Sequence, residues 1–93
     1  MALTIKTIGV IGAGQMGNGI AHVCALAGFP VMLNDVSGDR IKEGLATING
    51  NMTRQVARKA ISEDQKKSAL ALIKPAEKYD ALAACDLVIE TAT

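Results

Sequence analysis

The segment Ile8-Gly-Val-Ile-Gly-Ala-Gly-Gln-Met-Gly17 sets Gly12, Gly14 and Gly17 at G-x-G-x-x-G spacing directly behind a β-branched run. Few folds accept such a turn. A strand must end there, the backbone must reverse with almost no side chain in the way, and a helix must begin within a few residues. The preceding run, Ile5 to Ile11, has little alternation and reads as a strand buried on both faces, as in a parallel sheet. Behind the turn, Met16, Ile20, Val23, Cys24 and Ala27 recur at helical intervals and predict the buried face of a helix that Gly28 stops.

The rest of the chain repeats this rhythm. Val31-Met32-Leu33-Asn34, behind Pro30, reads as a second short buried strand with Asp35 at its carboxyl end. Ser37 stands where it can cap a helix, and the stripe Ile41, Leu45, Ile48, Met52, Val56 carries that helix to about Lys59 despite Gly44 and Gly50. Ser62-Glu63-Asp64-Gln65 is a capping-box pattern for a shorter helix closed by Lys74-Pro75, so the two helices form a hairpin. A third strand is expected around Ile73 to Glu77, a helical turn or two over Asp80 to Ala84, and a fourth strand over Asp86 to Glu90. Alternating strands and helices require right-handed crossovers and a parallel sheet. The expected fold is therefore α/β: a partial Rossmann fold of strand order 3-2-1-4, with a long helical hairpin between the second and third strands. A complete fold of this type has six strands. Residues 1–93 are thus expected to be the N-terminal portion of a dinucleotide-binding domain, with the rest of that domain absent.

Composition removes several classes of partner. Ten basic and nine acidic residues, scattered along the chain, give a net charge of +1 and no field for nucleic acid or a membrane surface. One Phe and one Tyr leave little equipment for stacking bases. No apolar run approaches the roughly 18 to 20 residues that span a bilayer. The N-terminus enters a strand-like run without a basic n-region or cleavage site, and the chain reads as cytoplasmic. Cys24 and Cys85 lack a C-x-x-C partner; they read as reduced, packed thiols, and no metal site is expected.

The glycine pattern alone recurs by chance, so its context carries the weight: a buried strand before, an amphipathic helix after, and an acid at the end of the next strand. Gly12 permits the tight turn, Gly14 lets backbone approach a pyrophosphate, and Gly17 lets the helix pack close. With Ala13, Gln15 and Met16 they form a cofactor-binding segment at a helix N-terminus, where free N–H groups and the dipole favour anions. Asp35 would accept hydrogen bonds from the adenosine ribose and repel a 2′-phosphate, which favours NAD over NADP. Arg40 has three readings: a stack on adenine, a contact to a 2′-phosphate, or a solvated residue in the first turn of its helix. Gly9 reads as a packing glycine within the first strand, and His22, well into the first helix, as a polar helix-face residue rather than a catalyst. Arg54, Arg58, Lys59, Lys66 and Lys67 gather near the hairpin tip, either as a solvated face or as a contact for a phosphate-bearing substrate.

Together, I-G-V-I-G-A-G-Q-M-G-N-G-I-A-H-V-C-A-L-A-G, V-M-L-N-D and L-A-A-C-D-L-V-I-E-T-A resemble the NAD-binding N-terminal part of 3-hydroxyacyl-CoA dehydrogenases, the bacterial 3-hydroxybutyryl-CoA dehydrogenases above all. The resemblance covers essentially the whole chain, and the D-L-V-I-E segment and the hairpin carry more of it than the glycines. It implies NAD over Gly12 to Gly17 with Asp35 on the ribose. It also implies an acyl-CoA substrate held from the hairpin through positions matching Asn51 and Arg58; the family has serine at the first, so Asn51 departs from the pattern. The family oxidises the 3-hydroxyl of an acyl-CoA, using a histidine oriented by a glutamate. Both would lie beyond the fourth strand, as would a helical C-terminal domain that makes a homodimer. The resemblance therefore implies that the 93 residues contain no catalytic residue, His22 included, and are not catalytically competent alone; with about half of the dinucleotide site present, weak NAD binding is expected. Two other readings stay open: a non-catalytic NAD-binding module, and a hydroxyacid dehydrogenase acting on a substrate without CoA.

Overall fold

The computed structural model describes residues 6–91. It contains β1 (Ile8–Ile11), α1 (Gln15–Leu26), β2 (Val31–Asn34), α2 (Gly38–Ala57), α3 (Glu63–Leu72), β3 (Ile73–Ala76), a 3₁₀ helix (Tyr79–Ala84) and β4 (Leu87–Glu90). All pairings are parallel, in the expected order β3-β2-β1-β4, and the hairpin α2–α3 lies between β2 and β3. Val10 stands level with Leu33 on one side and Ile89 on the other, which aligns the carboxyl ends of β1, β2 and β4. Ile5, expected in the first strand, lies outside the described residues.

Val10, Val31 and Leu33 from the sheet meet Ile41, Ile48 and Met52 of α2 in a core without solvent contact. The α2 stripe is as expected, with Leu45 and Val56 half-buried at its flanks. The α1 stripe is not: Met16 and Val23 are each 67% exposed, and only Ile20 and Cys24 of the larger residues lean on the core. The buried face of α1 is instead Gly17, Asn18, Ala21, His22 and Ala25. The reason is steric. A Cβ on Gly17 would stand 1.6 Å from the Gly12 carbonyl oxygen, so the start of α1 lies too close to the turn for Met16 or any other side chain to face it there, and the helix turns Gly17, Ala21 and Ala25 inward with Asn18 and His22 beside them.

Local signals fared unevenly. Ser62 forms the full capping box with Gln65. Ser37 occupies the N-cap position of α2, but its hydroxyl caps nothing. Both α1 and α2 end in Schellman motifs, through Gly28 and Lys59 respectively. Lys59 takes the left-handed φ of 62° that glycine usually supplies, and α2 stops at Ala57, short of the expected Lys59. The shorter helix gives way directly to β3, so Lys74 and Pro75 lie within a strand at the sheet edge, where proline's missing N–H is tolerated. Asp86 precedes β4, and its carboxylate accepts the N–H groups of Lys6 and Thr7 at 2.8 and 2.9 Å, tying down the approach to β1. Gly9 is indeed a packing glycine: a Cβ there would meet Leu82 of the 3₁₀ helix at 3.0 Å.

Candidate dinucleotide-binding site

The turn between β1 and α1 is built by backbone. Gly12 adopts φ 103°, a conformation that side chains disfavour, and its N–H donates to the Asn34 carbonyl of β2 at 2.7 Å. Thr91, just past β4, closes the floor: its hydroxyl donates to the Ile11 carbonyl at 2.9 Å and lies 3.2 Å from that of Gly12. Gly14 is the N-cap of α1, so no side chain caps the first N–H groups of that helix, and its first turn holds no acid. A Cβ on Gly14 would touch only an Arg40 nitrogen, at 3.6 Å; protein leaves that side of the turn open.

Asp35 stands opposite. It is 7% exposed, and its Oδ2 accepts the Ala13 N–H at 2.9 Å and lies 3.3 Å from Arg40 Nε. Burial by itself would push this carboxyl up. The N–H groups of Ala13, Ser37 and Val36, together with the Arg40 guanidinium, outweigh that and hold it below the usual carboxylate range. The site thus keeps a fixed, ionised acid at the end of β2.

A cleft of about 520 Å³ joins these parts, lined by Gly12, Gly14, Gln15, Met16, Gly17 and Asp35 with Ile11, Asn34, Val36, Arg40, Tyr79 and Thr91. Ala13 is buried below it and lines a second cleft towards α2. Of the expected segment, Ala13 is thus the residue whose N–H serves Asp35. Asn51 and Arg58 line neither cleft. They lie along α2, Arg58 exposed at its C-cap and Asn51 accepting from the Arg54 guanidinium. At about 1.5 Å per helical residue, Arg58 is some 27 Å from Arg40. His22 is buried between helices, paired with the Gln55 side-chain carbonyl at 2.7 Å.

Several contributors escaped sequence reading. Thr91, although within the L-A-A-C-D-L-V-I-E-T-A segment, was given no role, and Val36 and Tyr79 belong to no motif, yet these two are 90% and 62% exposed in the cleft that Asp35 lines. Their signal was weak: a valine after the acid, and the chain's one tyrosine. Gly44, read as a weak point of its helix, is where α2 presses on the turn, since a Cβ there would meet the Ala13 carbonyl at 2.8 Å.

An adenosine diphosphate moiety suits this donor set. Unpaired N–H groups with a helix dipole take phosphate, a carboxylate takes vicinal hydroxyls, and the apolar surface of Val36 and Tyr79 takes a flat ring. Consistent with this, the family model for the 3-hydroxyacyl-CoA dehydrogenase NAD binding domain matches residues 7–93. The chain belongs to the 3-hydroxyacyl-CoA dehydrogenase family. NAD is the cofactor of the matched domain. Among family members, a 3-hydroxybutyryl-CoA dehydrogenase of Bradyrhizobium diazoefficiens is 68% identical over 92 residues, which cover 99% of this chain and 31% of that protein. The Escherichia coli 3-hydroxyadipyl-CoA dehydrogenase is 36% identical over 93 residues, covering 100% of this chain and 20% of the relative. The crystal structure of (S)-3-hydroxybutyryl-CoA dehydrogenase from Ralstonia eutropha superposes with a TM-score of 0.94 at 44% identity, covering 97% of this chain and 32% of that one. This chain therefore spans about a third or less of the length of these 3-hydroxyacyl-CoA dehydrogenase relatives.

Proposed function

We propose that the chain forms the N-terminal, NAD-binding portion of an enzyme that oxidises a 3-hydroxyacyl-CoA, 3-hydroxybutyryl-CoA in particular, to the 3-oxoacyl-CoA. The observation that carries this is the bond from the Ala13 N–H to Asp35, which fuses the glycine turn and the ribose acid into one unit within a family of dehydrogenases. Bound NAD supplies the hydride acceptor. The chain's own residues supply position: the N–H groups behind Gly14 face the pyrophosphate, Asp35 holds the adenosine ribose, and Val36 with Tyr79 backs the adenine. Gln15, Met16 and Gly17 complete the wall of the groove.

The substrate's CoA is assigned to α2, where Arg58 offers charge to a phosphate and Asn51 a hydrogen-bonding amide. Their distance from the cleft agrees with a CoA tail that runs away from the reacting carbon. The hydroxyl proton needs a base, and His22, the chain's one histidine, is 8% exposed and already paired. These 93 residues alone are accordingly proposed to be inactive, and the base to come from elsewhere in the full-length protein.

The test is steady-state oxidation by the full-length protein with NAD, followed by NADH absorbance. Turnover of 3-hydroxybutyryl-CoA is expected, with Arg58→Ala raising KM for the acyl-CoA and leaving KM for NAD unchanged. No NADH with any 3-hydroxyacyl-CoA would refute the reading. Turnover whose KM ignores Arg58→Ala would remove the CoA assignment on α2.

A further inference from the structure

An acid that binds the ribose hydroxyls favours NAD, and a nearby arginine accommodates the 2′-phosphate of NADP; this chain carries both, at Asp35 and Arg40. They are not independent. Arg40 Nε lies 3.3 Å from Asp35 Oδ2, although the arginine side chain is 60% exposed and the aspartate's only 8%. Its Nη2 reaches over Gly14, 3.6 Å from the position of a Cβ there, so the guanidinium spans from the ribose acid to the pyrophosphate turn. Only Arg40, Gly14 and Gln15 line both clefts, which puts the guanidinium on the divide between them.

We infer that Arg40 is a latent 2′-phosphate ligand, and that Asp35 sets the cofactor preference both by excluding a 2′-phosphate and by tethering the cation that, among the described residues, lines the cleft. This rests on the assignment of Asp35 to the adenosine ribose. Two features support it. Arg40 stands on the exposed side of the first turn of α2 and makes no other polar contact among the described residues, so nothing else fixes its position. Guanidinium remains charged at any relevant pH and offers a planar fork suited to phosphate. Removing the charge of Asp35 does two things at once: it lifts the repulsion and frees the arginine. The two contributions separate only when Arg40 is also changed.

The experiment is calorimetric titration of the full-length protein with NAD and, separately, NADP. Asp35→Asn keeps an oxygen to accept the Ala13 N–H, and Asp35→Ala is the second variant should the first fail to fold. Either is expected to weaken NAD and to tighten NADP by roughly tenfold. Adding Arg40→Ala to the same variant is expected to remove most of the NADP gain while changing NAD little. An NADP gain that persists with alanine at position 40 overturns the inference, as does the lack of any gain. If neither variant at position 35 weakens NAD, it is the ribose assignment itself that fails, and the inference falls with it.

Discussion

Two glycines of one motif are glycine for opposite reasons, and the difference is measurable. Gly17 is closed: an added Cβ would sit 1.6 Å from the Gly12 oxygen and 2.9 Å from the Thr91 hydroxyl. Gly17→Ala must displace backbone, and a loss of about 3 kcal/mol or more is expected, read as a lowered midpoint in chemical denaturation. Gly14 is open on the side where a ligand would lie. The motif already gave the two glycines these separate roles, and the neighbours agree: the Gly12 carbonyl and the Thr91 hydroxyl crowd Gly17, whereas only Arg40 comes near Gly14. Asp35 adds a pH dependence. Its carboxyl is held below the ordinary value near 3.8, so the ionised acid stabilises the fold above that value and the contribution fades as pH falls through the lower, folded-state value. Stability measured against pH should show wild type ahead of Asp35→Asn by a constant margin at neutral pH, narrowing below about pH 4; a margin that does not narrow would contradict this.

At the level of elements, legibility followed how local the signal was. The capping box at Ser62 and the apolar stripe of α2 depend on residues within one or two turns, and both are present in the structure. Ser37 looked equally good, but capping is a matter of where the hydroxyl points, and that of Ser37 meets none of the free N–H groups of α2. Ser62→Ala is therefore expected to cost about 1 kcal/mol and Ser37→Ala close to nothing, a contrast that thermal unfolding of the two variants resolves. The buried face of α1 was misread because hydrophobicity was taken as the guide. The inward face is the one that carries Gly17, set by a carbonyl on the neighbouring turn, and periodicity of large apolar residues carries no record of that. Gly44 in α2 follows the same rule.

For the molecule as a whole, chain order alone implied the 3-2-1-4 sheet, since βαβ handedness leaves few other arrangements. The alignment of strand carboxyl ends then places Gly12, Asp35 and Thr91 around one cleft, though only the first two announced themselves in sequence. Tyr79 and Val36 reach it by virtue of tertiary structure. On the proposed reading, this cleft takes the pyrophosphate of NAD over Gly14. Valine at that position fits the extended backbone, with φ −69°, and meets nothing but a flexible arginine, so the fold should survive while the groove is filled. Calorimetric titration of NAD into full-length Gly14→Val, beside wild type, is the decisive measurement. Loss of affinity by at least about tenfold, with unfolding temperature lowered by only a few degrees, is the expected result. NAD binding as tightly to the variant as to wild type would show that the pyrophosphate does not lie over Gly14.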